Sequence, residues 1–549
     1  MARRALSTLI LVVVALAPVF APVGAVAGPA RAKAASATIV WAPATLVISG
    51  HGWGHGVGLS QYGAYGYARH GYTYDQIVAH YFPGTDLEYA GSKTIRVLLA
   101  SGRSSLTISS ASPFKVTDAD GTTHDVADLS LQLDPSLGVD LTDGRSRSLA
   151  GPLVFAAGSS PLAFAGRTYR GKFNVAVVGG KLRLINYVGL EPYLYGVVPC
   201  ESPHDWPADA LEAQAVVARS YALVSIRPSS SFDVYADTRS QVYRGLSNEY
   251  PESTAAVDST KGEAVYYDGA VAKTFFFSTS GGRTAAIQDA WPNASPEPYL
   301  VSVSDPYDNL SPYHNWGPVT LPSQTLAKNL KIAGPISDLT IETNSSLRVA
   351  TATLTGALDQ TFAVSGDAVR QALDLRSTWF EVMVFALQHP TSALPYGTSV
   401  RVAGRARGAD SPVLEIRDSG GTWQTAASLS PDDSGLFKVT MKPLSTSYYR
   451  IADGDIEAAP VRVPVAPRVG LARTPGLGLR GSVRPLGATA VVELQRIRAG
   501  SWTTIARLPL SSSGSFARAG VLRAGQYRAR VSGLKGLVPG FSPLVVLGS

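Results

Sequence analysis

The sequence predicts a mixed α+β protein, a strand-rich core with a few helices followed by two immunoglobulin-like β-sandwiches. Three observations lead there. Of 549 residues only 16% are charged and 45% are hydrophobic, with 53 glycines and 36 prolines. That balance suits turn-rich β modules better than helical or disordered protein. Long stretches alternate short apolar runs with Asp-Gly, Gly-Gly and Ser-rich breaks, the mark of successive strands. The tail repeats one strand plan twice.

The chain opens with Arg3 and Arg4, an apolar run from Leu9 to Val19 and then small residues, with Ala25-Val26-Ala27 fitting a cleavage site. Residues 1–27 therefore read as a secretory signal peptide, because Pro18 and Pro22 break the run short of a full membrane span. The expected mature protein is secreted or cell wall-associated, with no stable membrane insertion after signal removal. Cys200 is the single cysteine, so no internal disulfide is expected and the cores alone must hold the fold. The formal charge of +7 is compatible with an anionic wall. No basic run or aromatic–basic interleaving points to nucleic acid.

Residues 28–90 form an N-terminal segment. A strand over Ile39 to Ser49 leads into HGWGHGVGLSQYGAYG, where glycines at 50, 52, 54, 56 and 58 forbid a helix and permit close backbone approach. A helix follows from about Ser60. Thr73 with Gln76 has capping-box spacing and starts a second, ended before Pro83-Gly84. Residues 91–388 form the core. Thr94 to Tyr187 reads as a series of strands with turns at Asp120-Gly121 and Gly179-Gly180. Pro192 to Val198 reads as a short helix stopped by Pro199. A long helix then begins near Pro207, with Leu211, Ala215, Ala218 and Ala222 in an apolar stripe whose alanines admit a close neighbour. Between the helices lies Cys200-Glu201-Ser202-Pro203-His204-Asp205-Trp206, a proline-bounded turn suited to chemistry rather than core packing. Pro251 to Thr260 reads as a helix, and AVYYDGAVAKTFFFSTSGG as a hairpin turning at Asp268-Gly269. The tail modules span 389–465 and 466–549, two copies of one sandwich plan with a role in spacing or attachment.

Leu190, Glu191, Tyr193, Leu194, Gly196, Val197, Val198, Pro199, Glu201, Trp206, Pro207, Ala213, Gln214, Ala215, Arg219 and Tyr221 together resemble the signature of the SpoIID/LytB family (stage II sporulation protein D and amidase-enhancer relatives). Gly54, His55, Gly56, Ser60, Gln61, Tyr62, Gly63 and Ala64 resemble its glycine–histidine–glycine (GHG) motif. Asp237 to Gly245, with Gln241 and Tyr243, and Ser278 to Gly282 resemble further elements. In the family the GHG motif usually follows the core, whereas here it comes first. The implied fold is a SpoIID-like catalytic core with a permuted GHG segment that returns to the same cleft.

Aromatic and proline neighbours of Glu201 would desolvate its carboxyl and raise its pKa, as an acid delivering a proton to a leaving oxygen requires. The resemblance implies that Glu201 is the catalytic acid and base of a peptidoglycan lytic transglycosylase. It would protonate the bridging oxygen after N-acetylmuramic acid and then help the muramyl 6-hydroxyl close to a 1,6-anhydro end. No water attacks, so no second carboxylate is needed. Asp205, Asp237 and Asp289 stay open as partners in a hydrolytic pair. The resemblance also implies substrate-binding roles for Arg219, His51, His55, Ser60, Gln61, Gln241, Tyr243, Ser278, Ser280, Gly281 and Gly282. Arg219 could equally be a surface cation near a helix end, and His55 could simply satisfy a local carbonyl. His51 and His55 are four apart, but the glycines between them deny the helical face a metal would use. With one cysteine and no ligand cluster, neither a metal nor a cofactor is expected. A Cys200–His204 hydrolase is disfavoured because neighbours on a tight turn rarely face each other. No G-x-S-x-G elbow surrounds Ser278 or Ser280. The expected partners are peptidoglycan strands and, in the alternative reading, a cell-wall amidase that a non-catalytic glycan-binding enhancer would stimulate.

Overall fold

The computed structural model describes residues 38–475 and 478–548, so the expected signal peptide lies outside the described residues. The architecture is mixed α+β and strand-rich. Among the described residues no helix is long and apolar enough to cross a membrane.

The core's main sheet runs Val234–Tyr235, Thr94–Arg103, Lys181–Gly189, Lys172–Val178, Leu153–Ala156, Lys115–Thr117 and Thr123–Asp125 in spatial order. Its pairings are antiparallel except that of Val234–Tyr235 with Thr94–Arg103. Tight turns at Gly121 and at Gly179-Gly180 use positive φ, which glycine adopts without a Cβ penalty.

From this sheet the chain enters the helix Leu190–Tyr195, the short helix Val198–Glu201 and the long helix Ala208–Ser225. Pro199 does not stop a helix; it occupies the first turn of the short one, where its missing N–H leaves no bond unmade. Glu201 is that helix's last residue. The long helix is buried on two sides rather than along one stripe. Leu211, Ala215, Ala218 and Ala222 pack into the core of the main sheet, while Ala213, Val216 and Val217 face a second core.

That second core is built largely from the N-terminal segment. Gln61–Arg69, capped by Ser60, and Tyr74–Tyr81, opened by the Thr73–Gln76 capping box, both lie against the long helix. The hairpin at Asp268-Gly269 is present, but its second strand stops at Val271. The chain then leaves it, and Phe276–Phe277 pairs in parallel with Leu59–Ser60.

A separate sheet runs Asn315–Pro322, Thr45–His51, Phe380–Pro390, Val400–Arg407 and Leu436–Met441 in order, with Ile39–Trp41 also pairing Phe380–Pro390. The expected boundary between 388 and 389 thus falls inside a strand. Phe380–Pro390 pairs with the N-terminal segment on one edge and the first tail module on the other. Val47, Phe385 and Leu387 share a core with Val402, Leu414, Phe437 and Ile451 of that module. The second module keeps its own core around Val483, Leu494, Tyr527 and Val531.

Candidate active site

Glu201 sits where the short helix ends, half-buried, with its Oε1 accepting the Val242 N–H at 2.8 Å. Burial raises its carboxyl pKa, and the Val242 hydrogen bond opposes part of that shift. The Glu201 charge in turn helps raise the neighbouring Tyr193 and Tyr221 hydroxyls, for which burial is the larger cause.

The turn is held by long-range contacts. Ser202 Oγ donates to Gln214 Oε1 on the long helix at 3.4 Å, and Gln61 Nε2 donates to the same oxygen at 3.4 Å. Trp206 stands 5.1 Å from the ring of Tyr62 and stacks on Tyr65 at 4.8 Å. The helix that follows the GHG loop therefore lies against the Glu201 turn, although the two are some 140 residues apart in sequence.

Arg219 is not at the groove. Its side chain is fully enclosed and forms a bidentate pair with Glu191, at 3.0 Å from Nε and 2.7 Å from Nη2. It also donates to the carbonyls of Val257 and Glu263. The planar fork of the guanidinium satisfies carboxylate and carbonyls at once, a clamp joining three helices and a strand. Gln241 and Tyr243 are likewise buried. Tyr193 Oη donates to Gln241 Oε1, Gln241 Nε2 to the Ala218 carbonyl, and Tyr243 Oη to Asn186. Gln241 and Tyr243 were expected to touch substrate, and Arg219 to touch it or to orient the site; each braces the floor under the turn.

The N-terminal and Ser278–Gly282 residues converge on one another. Buried Asp308 accepts Ser60 Oγ–H, the N–H groups of Ser280 and Gly281, and His314 Nδ1 at 3.0 Å. Ser60 Oγ also caps its helix through the Gly63 N–H. Ser60, Gln61, Ser280 and Gly281 are enclosed and cannot line a groove, because Asp308, Gln214 and the neighbouring backbone take up their polar groups. Ser280 Oγ accepts the Gly282 N–H, and half-buried Ser278 meets Thr279. His51 bonds Asn315 at 2.7 Å and tilts against Trp379. His55 packs among Phe275, Phe277 and Trp291 and accepts the Val57 N–H on Nδ1; burial lowers its pKa to about 4, so the ring is neutral.

Two neighbouring acids, Asp305 and Asp308, had no role assigned from the sequence, although Asp305-Pro306 continues the family-like stretch. Asp305 is fully buried, with neither carboxyl oxygen in hydrogen-bonding geometry to a partner; burial and the nearby Asp308 charge push its pKa up to about 7. Asp308 and Glu191 have no helical or strand periodicity to mark them. Their partners are remote, and only the Leu-Glu pair of the motif hinted at Glu191.

Of the possible second carboxylates, Asp237 is exposed and held by Arg239, while Asp289 bonds Ser345 and Ser346. Asp205 is exposed. Cys200 donates to the Gly196 carbonyl and accepts from Asn248, and burial pushes its thiol up to about 11. His204 stacks on Tyr250 at 3.9 Å and faces Glu252, so it serves no thiol. Among the described residues no group of three histidine, cysteine or acidic side chains is placed to hold a metal. An open cleft of about 510 Å³, with Arg103, Arg167, Tyr169 and Arg239 in its walls, lies beside the site. Glu201 does not line it; Tyr243, next to the Val242 donor, does.

Residues 178–267 match the family model of the stage II sporulation protein, SpoIID. Over 218 residues the chain is 31% identical to stage II sporulation protein D of Bacillus amyloliquefaciens, covering 36% of this chain and 61% of that one. It is 35% identical over 145 residues to the amidase enhancer of Bacillus subtilis, covering 26% of this chain and 19% of that one. An uncharacterized protein of Brachyspira hyodysenteriae is 36% identical over 141 residues, covering 25% and 38%. The chain therefore spans less than two thirds of the length of each of these relatives. The matched region contains the Glu201 turn, the Arg219 clamp and the Val242 donor, so the chain carries a SpoIID-family domain over residues 178–267.

Proposed function

We propose that this protein is a secreted, wall-associated peptidoglycan lytic transglycosylase with Glu201 as its single acid and base. The observation that carries the reading is the setting of Glu201. A carboxyl raised by burial, with one backbone donor and no acidic partner bonded to it, is shifted towards the protonated form that a general acid needs. Protonation of the bridging oxygen lets the bond to the muramyl anomeric carbon break. The carboxylate so formed takes the proton of the muramyl 6-hydroxyl as that oxygen closes on the anomeric carbon. The outcome is a 1,6-anhydro end with Glu201 restored, and water takes no part. The Val242 N–H stabilises the carboxylate half of this cycle, and Arg219–Glu191 fixes the helices on either side. In the same reading the GHG segment is a permuted part of the catalytic fold, and the tail modules are immunoglobulin-like wall attachments.

The test is incubation of the purified protein with glycan strands, reading products by mass spectrometry. Anhydromuramyl ends are expected, falling by about 10²–10⁴ in rate in Glu201→Gln. Reducing ends would show a hydrolase instead. The likeness to an amidase enhancer favours a second reading, a glycan-binding helper that stimulates a cell-wall amidase without cutting glycan. Binding without products, together with faster release of stem peptides by an added amidase, would establish it.

A further inference from the structure

The motif residue between the two histidines, Trp53, was given no role above. Its indole is 41% exposed, while the backbone on every side of it is pinned. Trp53 exchanges hydrogen bonds with Thr279 in both directions, at 2.8 and 3.1 Å. The Gly52 N–H donates to the Tyr313 carbonyl at 3.1 Å, and the Gly54 N–H to the Arg376 carbonyl at 3.0 Å. Both glycines have positive φ, and a Cβ on Gly54 would collide with Phe277 at 2.8 Å, so the loop cannot relax. The residues gripping the loop backbone also gather around the indole. Tyr313 meets it edge-on at 4.6 Å, and the Arg376 guanidinium lies 4.1 Å from the Tyr313 ring centre and 5.1 Å from that of Trp53.

We propose that Trp53, Tyr313 and Arg376 form a saccharide subsite, in which one sugar ring of a glycan strand lies on the exposed indole and its carboxylate meets Arg376. This rests on the glycan reading of the Glu201 site. A rigid, half-exposed indole presents a flat apolar face at little conformational cost, and the C–H-rich face of a pyranose complements it. Arg376 is a cation stacked on two rings with no carboxylate paired to it among the described residues, so its donors can meet an acid from outside. A chain of backbone and ring contacts ties the subsite to the catalytic turn. Trp53 bonds Thr279, Tyr62 donates to the Ser278 carbonyl one residue earlier, and the Tyr62 ring packs on Trp206.

The test measures binding by calorimetry on Glu201→Gln protein, which leaves the glycan uncut. Three probes are used: neutral N-acetylglucosamine oligomers, peptide-free muramyl glycan fragments, and fragments that retain stem peptides. Trp53→Ala is expected to weaken all three about tenfold, with Trp53→Phe recovering part of the loss. Arg376→Gln is expected to weaken only the acidic fragments, by about fivefold, with the difference disappearing at 1 M salt. A loss on peptide-free fragments identifies the lactyl carboxylate; a loss confined to peptide-bearing ones identifies a stem carboxylate. Unchanged affinities in correctly folded Trp53→Ala, an Arg376→Gln effect equal on the neutral probe, or no measurable binding of any probe overturns the proposal. Product formation by the Glu201 enzyme is scored separately, so loss of the subsite and loss of the transglycosylase reading give different results.

Discussion

Glu201 meets opposed demands, since the burial that makes it a useful acid also destabilises its charged form. Raising a carboxyl pKa favours the protonated state, so activity that needs the acid should fall as pH rises through the raised value. A pH–rate profile whose basic limb moves to lower pH in a cysteine-sulfinate or other lower-pKa replacement at 201 checks this. Asp305 and His55 shift stability in opposite directions. Asp305, faced by Asp308, Tyr81 and Tyr67, titrates near 7 in the folded state, against about 4 for a free Asp. The folded protein therefore keeps a proton that the unfolded chain loses, and stability falls as pH rises between these values. His55 titrates near 4 against 6.5 when free, so the unfolded chain gains a proton first and stability falls as pH drops through that range. Thermal melts from pH 4 to 8 should show Asp305→Asn gaining stability relative to the parent towards pH 8. His55→Asn should flatten the acid side; identical curves for parent and variants would refute both assignments.

Among the elements, the long helix Ala208–Ser225 decides whether the site exists, because its two faces join two cores and Arg219 clamps it to Glu191. Arg219→Ala leaves half-buried Glu191 without its cation and should cost about 3 kcal/mol in chemical denaturation. Arg219→Lys should restore little, for an ammonium cannot fork across the carboxylate and the Val257 and Glu263 carbonyls together. Gly63 in the helix after the GHG loop makes a sharper case. Alanine is the better helix former, yet a Cβ there would fall 2.0 Å from Tyr81 Oη and 2.3 Å from Asp305. Gly63→Ala should therefore destabilise by roughly 1–3 kcal/mol, the overpacking penalty exceeding the gain in propensity. Local signals made much of this level legible. The Thr73–Gln76 box, the Ser60 cap, the alanines of the long helix and the paired glycine turns each act within a few residues. The Asp308 hub and the Glu191–Arg219 clamp stayed hidden because most of their partners are remote, Ser60 lying 248 residues from Asp308 and Glu191 lying 28 from Arg219. For the same reason Arg219, Gln241 and Tyr243 could be placed near the site from the motif, but not told apart as braces.

At the scale of the whole molecule, strand periodicity showed that the tail is built of β modules, but it could not show that one sheet crosses from core to tail. The strand Phe380–Pro390 reads as an apolar strand like any other, and one of the strands that flank it, Thr45–His51, lies more than 300 positions away, while the other is Val400–Arg407 of the tail. Ending the chain after 466 removes a module with its own core and should leave the thermal midpoint of the remainder within a few degrees. Ending it after 390 strips Val402, Phe437 and Ile451 from Val47, Phe385 and Leu387, and should give an insoluble or markedly less stable product. Equal solubility and melting of the two truncations would contradict the shared core. An unbroken strand running out of the body into its first appendage leaves no hinge at that joint. The appendage is a fixed strut, so the module and the strand Thr45–His51 that feeds the glycine-rich loop move as one body.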